Sequence, residues 1–215
     1  MGATAGFVFD LSGGRLCLDL ANTVSDRLKM PKERLQRYAD LVAWARQSGL
    51  LDRAGAQELL REASRRPTES EAALERARAL RETLFKLFTA AAAGERPPTE
   101  AVEALNAALS AALSHRRLVR SRGGSFRWDW DLPSGALEAM LWPVVHSAAE
   151  LLASDELSDL RECAADSCAW LFLDHSRNHS RRWCDMKVCG NRTKARRHYE
   201  RARLGGRGGA EHPPA

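Results

Sequence analysis

The sequence predicts a mainly α-helical α+β protein in which a long helical N-terminal region with small β-hairpins precedes a compact cysteine-rich module. Three observations support this fold class. Apolar residues recur at helical spacing through most of residues 33–160. Two Gly-Gly pairs, at positions 13–14 and 123–124, lie between segments in which apolar and polar residues alternate. Four cysteines are gathered within residues 163–189.

The first element is predicted to be a hairpin that turns at Gly13-Gly14, within the segment FVFDLSGGRLCLDLANT. Folded about this turn, the two strands share one apolar face. A helix that begins within LCLDLANT is the alternative for the second half of the segment. The residues of the predicted apolar face are Phe7, Phe9, Leu11, Leu16, Leu18 and Leu20.

Helices are expected to follow, each bounded by residues that start or stop a helix. Gly49 is a natural stop for the first helix, and Asp52 is a cap for the second. Thr68 and Glu71 have the spacing of a capping box for the third. Pro143 marks a kink or the start of a new helix in the last stretch. The predicted helices span about 33–48, 52–65, 68–93, 99–113 and 134–160.

A second hairpin is predicted around Gly123-Gly124, in the segment RRLVRSRGGSFRWDWD. Phe126, Trp128 and Trp130 lie on one face of its second strand, and charged residues lie on the other face. Two tryptophans on one strand can form a stacking platform for bases. Because helices surround this segment in the sequence, we interpret the aromatic face as part of the core.

Positive charge is concentrated at the C-terminal end of the chain. The whole chain has a formal net charge of +5, yet residues 1–162 carry −1 and residues 163–215 carry +6. Because no apolar stripe accompanies these charges, they favour a polyanionic partner, nucleic acid before a membrane surface. A solvated basic tail with no specific partner is the alternative.

The sequence also limits the class of protein. No stretch approaches the run of about 18 apolar residues that a membrane span needs, so we expect no membrane partner. The start, MGATAGFVFD, lacks the features of a signal peptide, and we expect a cytoplasmic location. No P-loop, Ser/His/Asp set or paired-carboxylate pocket is recognisable, so we predict no catalytic residues and no enzyme activity.

The strongest chemical signal is the pattern Cys-x4-Cys-x15-Cys-x4-Cys, formed by Cys163, Cys168, Cys184 and Cys189. Two Cys-x4-Cys loops supply four thiolates, the tetrahedral shell that structural zinc prefers. A disulfide framework would need an oxidising compartment. Four free core cysteines do not suit the basic stretch RRWCDMKVCGNR. We predict one structural Zn2+ in a closed shell.

The remaining metal-binding residue types carry weaker signals. Cys17 lies between Leu16 and Leu18 and is interpreted as a small packed hydrophobe. His175 and His179 are four residues apart. However, HSRNH lacks the glutamate of a metalloprotease helix, and four sulfurs already complete the shell.

The module has the order of parts of a treble clef: a knuckle, a hairpin, a second knuckle and a helix. In its apolar strand, Trp170 and Phe172 share one face while Leu171 and Leu173 share the other. The run 176–183 is expected to return as the second arm of the hairpin.

A helix is expected after the second knuckle, ending near Leu204. Gly190 relieves the steric constraint where the chain leaves the metal, and Asn191 is expected to cap the helix. Trp183 is expected to pack over the knuckle.

The C-terminal segment, SRNHSRRWCDMKVCGNRTKARRHYER, closely resembles the CGNR zinc-finger family, which is named for the tetrapeptide at 189–192. The segment FVFDLSGGRLCLDLANT, followed by a helix that ends in DLVAWARQSGLL, resembles the ABATE-type domain of the same family. The resemblance covers nearly the whole chain up to about Arg203. It implies a bacterial, stress-linked transcriptional regulator whose finger binds DNA, with the four cysteines as zinc ligands.

We therefore expect three regions: a helical ABATE-like sensor or scaffold domain over 1–160, a CGNR-type finger over 161–204, and a disordered tail over 205–215. The first would sense a small-molecule effector, form a homodimer, or do both. DNA is the expected partner of the finger, and a regulator of this kind would associate with the nucleoid. An RNA-binding module and a zinc-stabilised protein-interaction protein are the alternatives.

The cationic side chains around the second knuckle and the last helix are the expected DNA contacts. Arg181, Arg182 and Arg192 are expected to touch DNA directly, because the nearby metal fixes their backbone. The arginines further along the helix would add affinity for phosphates, and the helix N-terminus at 191–193 would offer free amides to one phosphate. The predicted nucleic-acid-binding residues are Arg177, Arg181, Arg182, Arg192, Lys194, Arg196, Arg197 and Arg201.

Overall fold

The computed structural model of the protein describes residues 7–133 and 135–205, with the side chains of 197–198 and 202–205 left out. Within these residues, helices predominate and the strands form three separate antiparallel pairs, which confirms the mainly helical α+β class. No helix in these ranges is both long and apolar enough to cross a bilayer. The elements are α1 (Leu16–Ala21), β1 (Val24–Ser25), β2 (Lys32–Glu33), α2 (Tyr38–Gln47), α3 (Arg53–Arg65), α4 (Pro67–Ala92), α5 (Thr99–Leu113), β3 (Arg116–Arg120), β4 (Phe126–Trp130), α6 (Trp142–Leu152), β5 (Leu160–Glu162), β6 (Leu171–Leu173) and α7 (Asn191–Gly205).

Helix α4 lies at the centre of the fold. Helices α1, α2, α3 and α5 all contact it, and so do β5 and β6. Leu84, Leu87 and Phe88 on α4 are fully buried and belong to one apolar core, together with Trp44 of α2. Burial of such side chains contributes roughly 1.5–3 kcal/mol each, so this core is the main source of stability for the helical region.

The predicted N-terminal hairpin is wrong, because residues 7–12 form no strand and the second half of the segment is α1. A helix within LCLDLANT, the alternative, is confirmed. Asp19 Oδ1 accepts a hydrogen bond from the Gly13 amide at 2.9 Å and fixes the turn into α1. A Cβ at Gly13 would lie 2.8 Å from Cβ of Leu18, so close approach explains this glycine.

Several predicted helix boundaries are confirmed and others are wrong. The predicted helix over 134–160 is the shorter α6 over Trp142–Leu152, and Pro143 lies in its first turn, as the start of a new helix. Asp52 caps α3, since its Oδ1 accepts from the Gly55 amide at 2.8 Å. Helix α4 begins one residue before the predicted capping box, with Pro67 in its first turn. Helix α2 begins at Tyr38 because 32–33 pair with 24–25 as β2 and β1.

The predicted second hairpin is confirmed, with β3 and β4 paired in the register Leu118 to Trp128. The interpretation of its aromatic face as core is wrong for two of the three rings: Phe126 is 68% exposed and Trp128 is 59% exposed. Only Trp130, at the base of the hairpin, packs against the core, where its ring meets His146 edge to face at 5.6 Å.

The C-terminal module pairs its strands differently from the prediction. Strand β6 pairs with β5, which precedes the first knuckle, and 176–183 forms no strand. Instead, the side chain of Asp174 accepts hydrogen bonds from two amides of this run, Ser176 N at 3.0 Å and Arg181 N at 2.8 Å. Local side-chain bonds of this kind compete with a strand ladder.

Strand β6 is shared by two apolar clusters. As predicted from the alternation, Leu171 and Leu173 face one side and enter the main core. Phe172 faces the other side and packs among the cysteines, with Trp170 and Trp183 at the edge of that cluster. The predicted packing of Trp183 over the knuckle is thereby confirmed.

Polar contacts also join the module to the N-terminal segment. The Asn22 side chain donates to the Leu171 carbonyl at 2.8 Å and accepts from the Leu171 amide at 2.9 Å. The Trp170 indole donates to the Val24 carbonyl at 2.7 Å. The predicted domain boundary near residue 160 stays a prediction, and the packing across it is continuous.

Candidate metal centre and nucleic-acid interface

The four cysteines of the sequence pattern come together in one buried cluster. Their Sγ atoms all lie within 4.8 Å of one another, and the Cys168–Cys184 and Cys184–Cys189 sulfurs are each 3.7 Å apart. A tetrahedron with Zn–S bonds of about 2.3 Å places neighbouring sulfurs roughly 3.8 Å apart. All four are free thiols, so no disulfide framework joins them. The donor set and its dimensions therefore fit one Zn2+.

Backbone hydrogen bonds shape both knuckles. In the first, the Cys163 amide donates to the Trp170 carbonyl at 2.8 Å, and the Cys168 amide donates to the Ala165 carbonyl at 2.9 Å. In the second, Asp185 caps a π-helical turn over Met186–Gly190, accepting from the Val188 amide at 2.8 Å. The sulfurs are thus held by closed backbone loops.

Gly190 has a steric role, as predicted, but Asn191 does not cap the helix. A Cβ at Gly190 would collide with the Met186 thioether, so the glycine leaves room for that side chain. Asn191 has helical dihedral angles and continues the π-helical turn into α7, so it is not the cap. Because the turn precedes α7, the amides at 191–193 lie within a continuous helix, which does not support the predicted phosphate site there.

An arginine and an aspartate connect the cluster to the N-terminal segment. Arg192 donates to Cys189 Sγ at 3.5 Å and to Asp26 Oδ1 at 3.2 Å. Asp26 Oδ1 also accepts from Ser167 Oγ at 3.0 Å. Burial raises the pKa of Asp26, but the hydrogen bond from Ser167 and the nearby cations Lys32 and Arg192 outweigh it, so the pKa is lowered. Groups of this kind orient metal ligands from the outer sphere.

The thiols also influence one another. Hydrogen bonding from Cys168, with smaller contributions from Cys184 and Cys189, lowers the pKa of Cys163. The thiolate form is the form that binds a metal. His175 is exposed, and His179 Nδ1 lies 2.9 Å from Asp159 Oδ1, so neither histidine takes part in the sulfur cluster.

The structure divides the predicted DNA-contacting cations into two groups. The first group is held by intramolecular bonds. Arg181 stacks over Phe172 at 4.3 Å and donates to the backbone carbonyls of Trp183 and Cys184. Arg192 is bound as described above, and Arg196 pairs with Asp166 and with Glu200. These three side chains are bound within the module, and those of Arg192 and Arg196 are still partly exposed.

The second group projects from the module. Arg177 lies in the loop before the second knuckle, Arg182 is exposed beside the Trp183 ring, and Lys194 and Arg201 are exposed on α7. Among the residues that the structure describes, none of these four forms an ion pair. The Arg197 side chain, and the predicted tail after Gly205, lie outside the described residues.

Two concave regions of the structure do not correspond to any predicted site. A polar cleft of about 560 Å³ lies between the second knuckle and the N-terminal segment, where Asp26, Arg34 and Arg192 line it. An apolar groove of about 850 Å³ lies between α4, α5 and α6. The polar residues of LANTVSD, which interrupt an apolar segment, were the available signal for the first. The second depends on how three helices pack.

Comparison with known families gives two matches along the chain. Residues 14–155 match the ABATE family, described as "putative stress-induced transcription regulator", and residues 160–202 match the CGNR zinc finger. No curated protein matches the chain. The order of the two matches agrees with the order of the two resembling segments, and the four-cysteine site lies inside the second match. The chain therefore belongs to the ABATE family of putative transcription regulators and carries a zinc-binding CGNR finger at its C-terminal end.

Proposed function

We propose that the protein is a zinc-dependent DNA-binding transcription regulator whose finger contacts the DNA backbone, acting at the nucleoid. One observation carries the proposal: four exposed cations project from a module that a four-sulfur site anchors. They are Arg177, Arg182, Lys194 and Arg201. Lysine and arginine that neutralise phosphates release counterions, which gives affinity for a polyanion.

The closed sulfur shell supports a structural role for the metal. Four protein sulfurs fill a tetrahedron, so zinc held here keeps no position for a reacting water. We therefore propose a binding protein and not an enzyme. Zinc bound to the four cysteines would act by holding the second knuckle and the start of α7 in place.

The proposed DNA interface is tested by removing projecting cations. Fluorescence anisotropy with labelled duplex DNA, repeated over a salt series, gives the affinity and its salt slope. In the double variant Arg182→Ala/Lys194→Ala we expect the log–log slope to fall by about 2, since each lost phosphate contact contributes about 0.9. The matched control is Arg53→Ala/Arg61→Ala, which removes two exposed charges from α3 and should leave the slope unchanged.

Three results would contradict this proposal. Equal slopes in the double variant and in its control would show that the cations of the finger do not contact DNA. Tighter binding to matched duplex RNA than to DNA would favour the RNA-binding alternative. Loss of all nucleic-acid binding near 0.15 M salt would favour an acidic protein surface as the partner.

We also propose that the helical region binds an apolar effector in the groove between α4, α5 and α6. Leu80, Leu141 and Val145 line this groove. Arg76, paired with Glu138, lies at its edge. Dimerisation through the same region is the competing role.

An apolar dye tests the groove. Anilinonaphthalene sulfonate fluorescence should rise with the wild type, and Ala108→Trp, which fills the groove, should abolish that rise. Ala107→Trp on the exposed face of the same helix is the control. Equal fluorescence in both variants would contradict this site, and a dimer that Ala108→Trp converts to a monomer in light scattering would favour dimerisation.

A further inference from the structure

One face of the β3–β4 hairpin combines exposed aromatic rings with arginines. Residues directly opposite in an antiparallel pair project to the same side, and that side repeats at every second residue. The pairs that share this face are Arg116 with Trp130, Leu118 with Trp128, and Arg120 with Phe126. None of these six side chains is acidic. We call this set of six residues the hairpin face.

Most side chains of the hairpin face are not buried in the folded protein. Trp130 packs against the core, but Trp128, Phe126 and Leu118 are all more than half exposed. Neighbouring large apolar side chains in solvent are uncommon on a protein that does not bind something there. Because folding does not require the outer rings, a ligand is the better explanation for their presence.

The arginines indicate the chemistry of that ligand. The Arg116 guanidinium lies over the rings of Trp130 at 4.5 Å and Trp128 at 5.6 Å. Arg120 is exposed beside Phe126, and Arg122 is exposed at the turn. Two copies of this face would bring like charges together, which disfavours a second copy of the chain. A polyanion with flat apolar groups satisfies both the arginines and the rings.

We propose that the hairpin face binds single-stranded nucleic acid, with Phe126 and Trp128 stacking on unpaired bases. Alternate residues of a strand are about 7 Å apart, which leaves room for one base on each ring. Arginines on the same ribbon would contact the phosphates between those bases. This site is separate from the zinc finger and goes beyond the proposed duplex binding.

Anisotropy of the full-length zinc-loaded protein with fluorescein-labelled oligo-dT tests the proposal. Trp128→Ala should weaken the affinity for oligo-dT by fivefold or more, the range for losing one stacked base. Trp128→Phe keeps a ring and should stay within about twofold of wild type. Arg120→Ala should lower the salt slope by about 0.7. Arg127→Ala, on the opposite face, is the charge-matched control.

The outcomes separate this site from the finger. Oligo-dT affinity that is unchanged in Trp128→Ala, or absent in the wild type, overturns the hairpin proposal whether or not duplex DNA binds. Oligo-dT binding that needs Trp128 but survives Arg182→Ala/Lys194→Ala supports the hairpin proposal even if the finger proposal fails. If the wild type is a dimer, and Trp128→Ala is a monomer with unchanged oligo-dT affinity, the hairpin face binds a second copy of the chain. That result would overturn the hairpin proposal.

Discussion

Replacing Asn22 by alanine should weaken the packing of the finger against the helical region. Asn22 is 3% exposed, and its amide group bonds both the carbonyl and the amide of Leu171 in β6. Alanine satisfies neither backbone group. Both groups would then be buried without a partner, between α1 and the strand that enters the main core.

The magnitude follows from the two lost bonds. A buried polar group left without a partner costs about 1–3 kcal/mol. Two such groups therefore lower the free energy of unfolding by about 2–6 kcal/mol, a large fraction of the stability of an ordinary domain. Because β6 directly follows the first knuckle, zinc release to a chelator should also accelerate.

Urea denaturation followed by far-UV circular dichroism measures the change in the free energy of unfolding. Absorbance of a metallochromic chelator measures zinc release. Asn106→Ala, on the exposed side of α5, is the matched control and should change stability by less than about 0.5 kcal/mol. If Asn22→Ala lowers the free energy of unfolding by less than about 1 kcal/mol and leaves zinc release unchanged, the bonds from Asn22 to Leu171 do not hold the finger against the helical region.

Three further perturbations test the structure. Cys189→Ser should lose zinc, measured by elemental analysis, and lower the melting temperature of the whole chain, since structural zinc contributes on the order of 10–16 kcal/mol in small fingers. Burial raises the pKa of Asp19 to about 6. The folded state therefore binds the extra proton between about pH 4 and pH 6, and stability falls as the pH rises through that window. Asp19→Asn should be more stable than wild type at pH 7 and equal to it below pH 4 in urea titrations. Changing the buried Arg81, which pairs with Glu33 and Glu82, to alanine should lower the free energy of unfolding by about 1.5–3 kcal/mol in the same assay, the range for a hydrogen bond to a charged group.

Local sequence patterns predicted the zinc site and most helices. Two Cys-x4-Cys loops form a four-sulfur cluster largely through bonds within each knuckle, so spacing alone indicated it. The Asp52 cap is equally local. Helix α1 was the main failure, because Leu16, Leu18 and Leu20 alternate in a helix that is buried on several sides.

Contacts between residues that are far apart in the sequence could not be predicted from local patterns. No local pattern indicated that Asp26 pairs with Arg192, or that Asp166 pairs with Arg196. Those partners determine which arginines are bound within the module and which project from it. Likewise, alternation placed Phe126 and Trp128 on one face but could not show that no helix covers them.

The bond between Asn22 and Leu171 joins residues 149 positions apart. A ribosome that adds about 5–20 residues per second delivers β6 roughly 7–30 s after α1. During that time the Asn22 side chain lacks the strand that bonds to it in the finished protein. A fragment that ends before residue 160 should therefore leave the Asn22 side chain without its partners in Leu171 and be less stable than the full chain. Strand β6 thus supplies the polar partners of a segment that is synthesised about 150 residues earlier, and the packing around Asn22 is complete only when that strand is present.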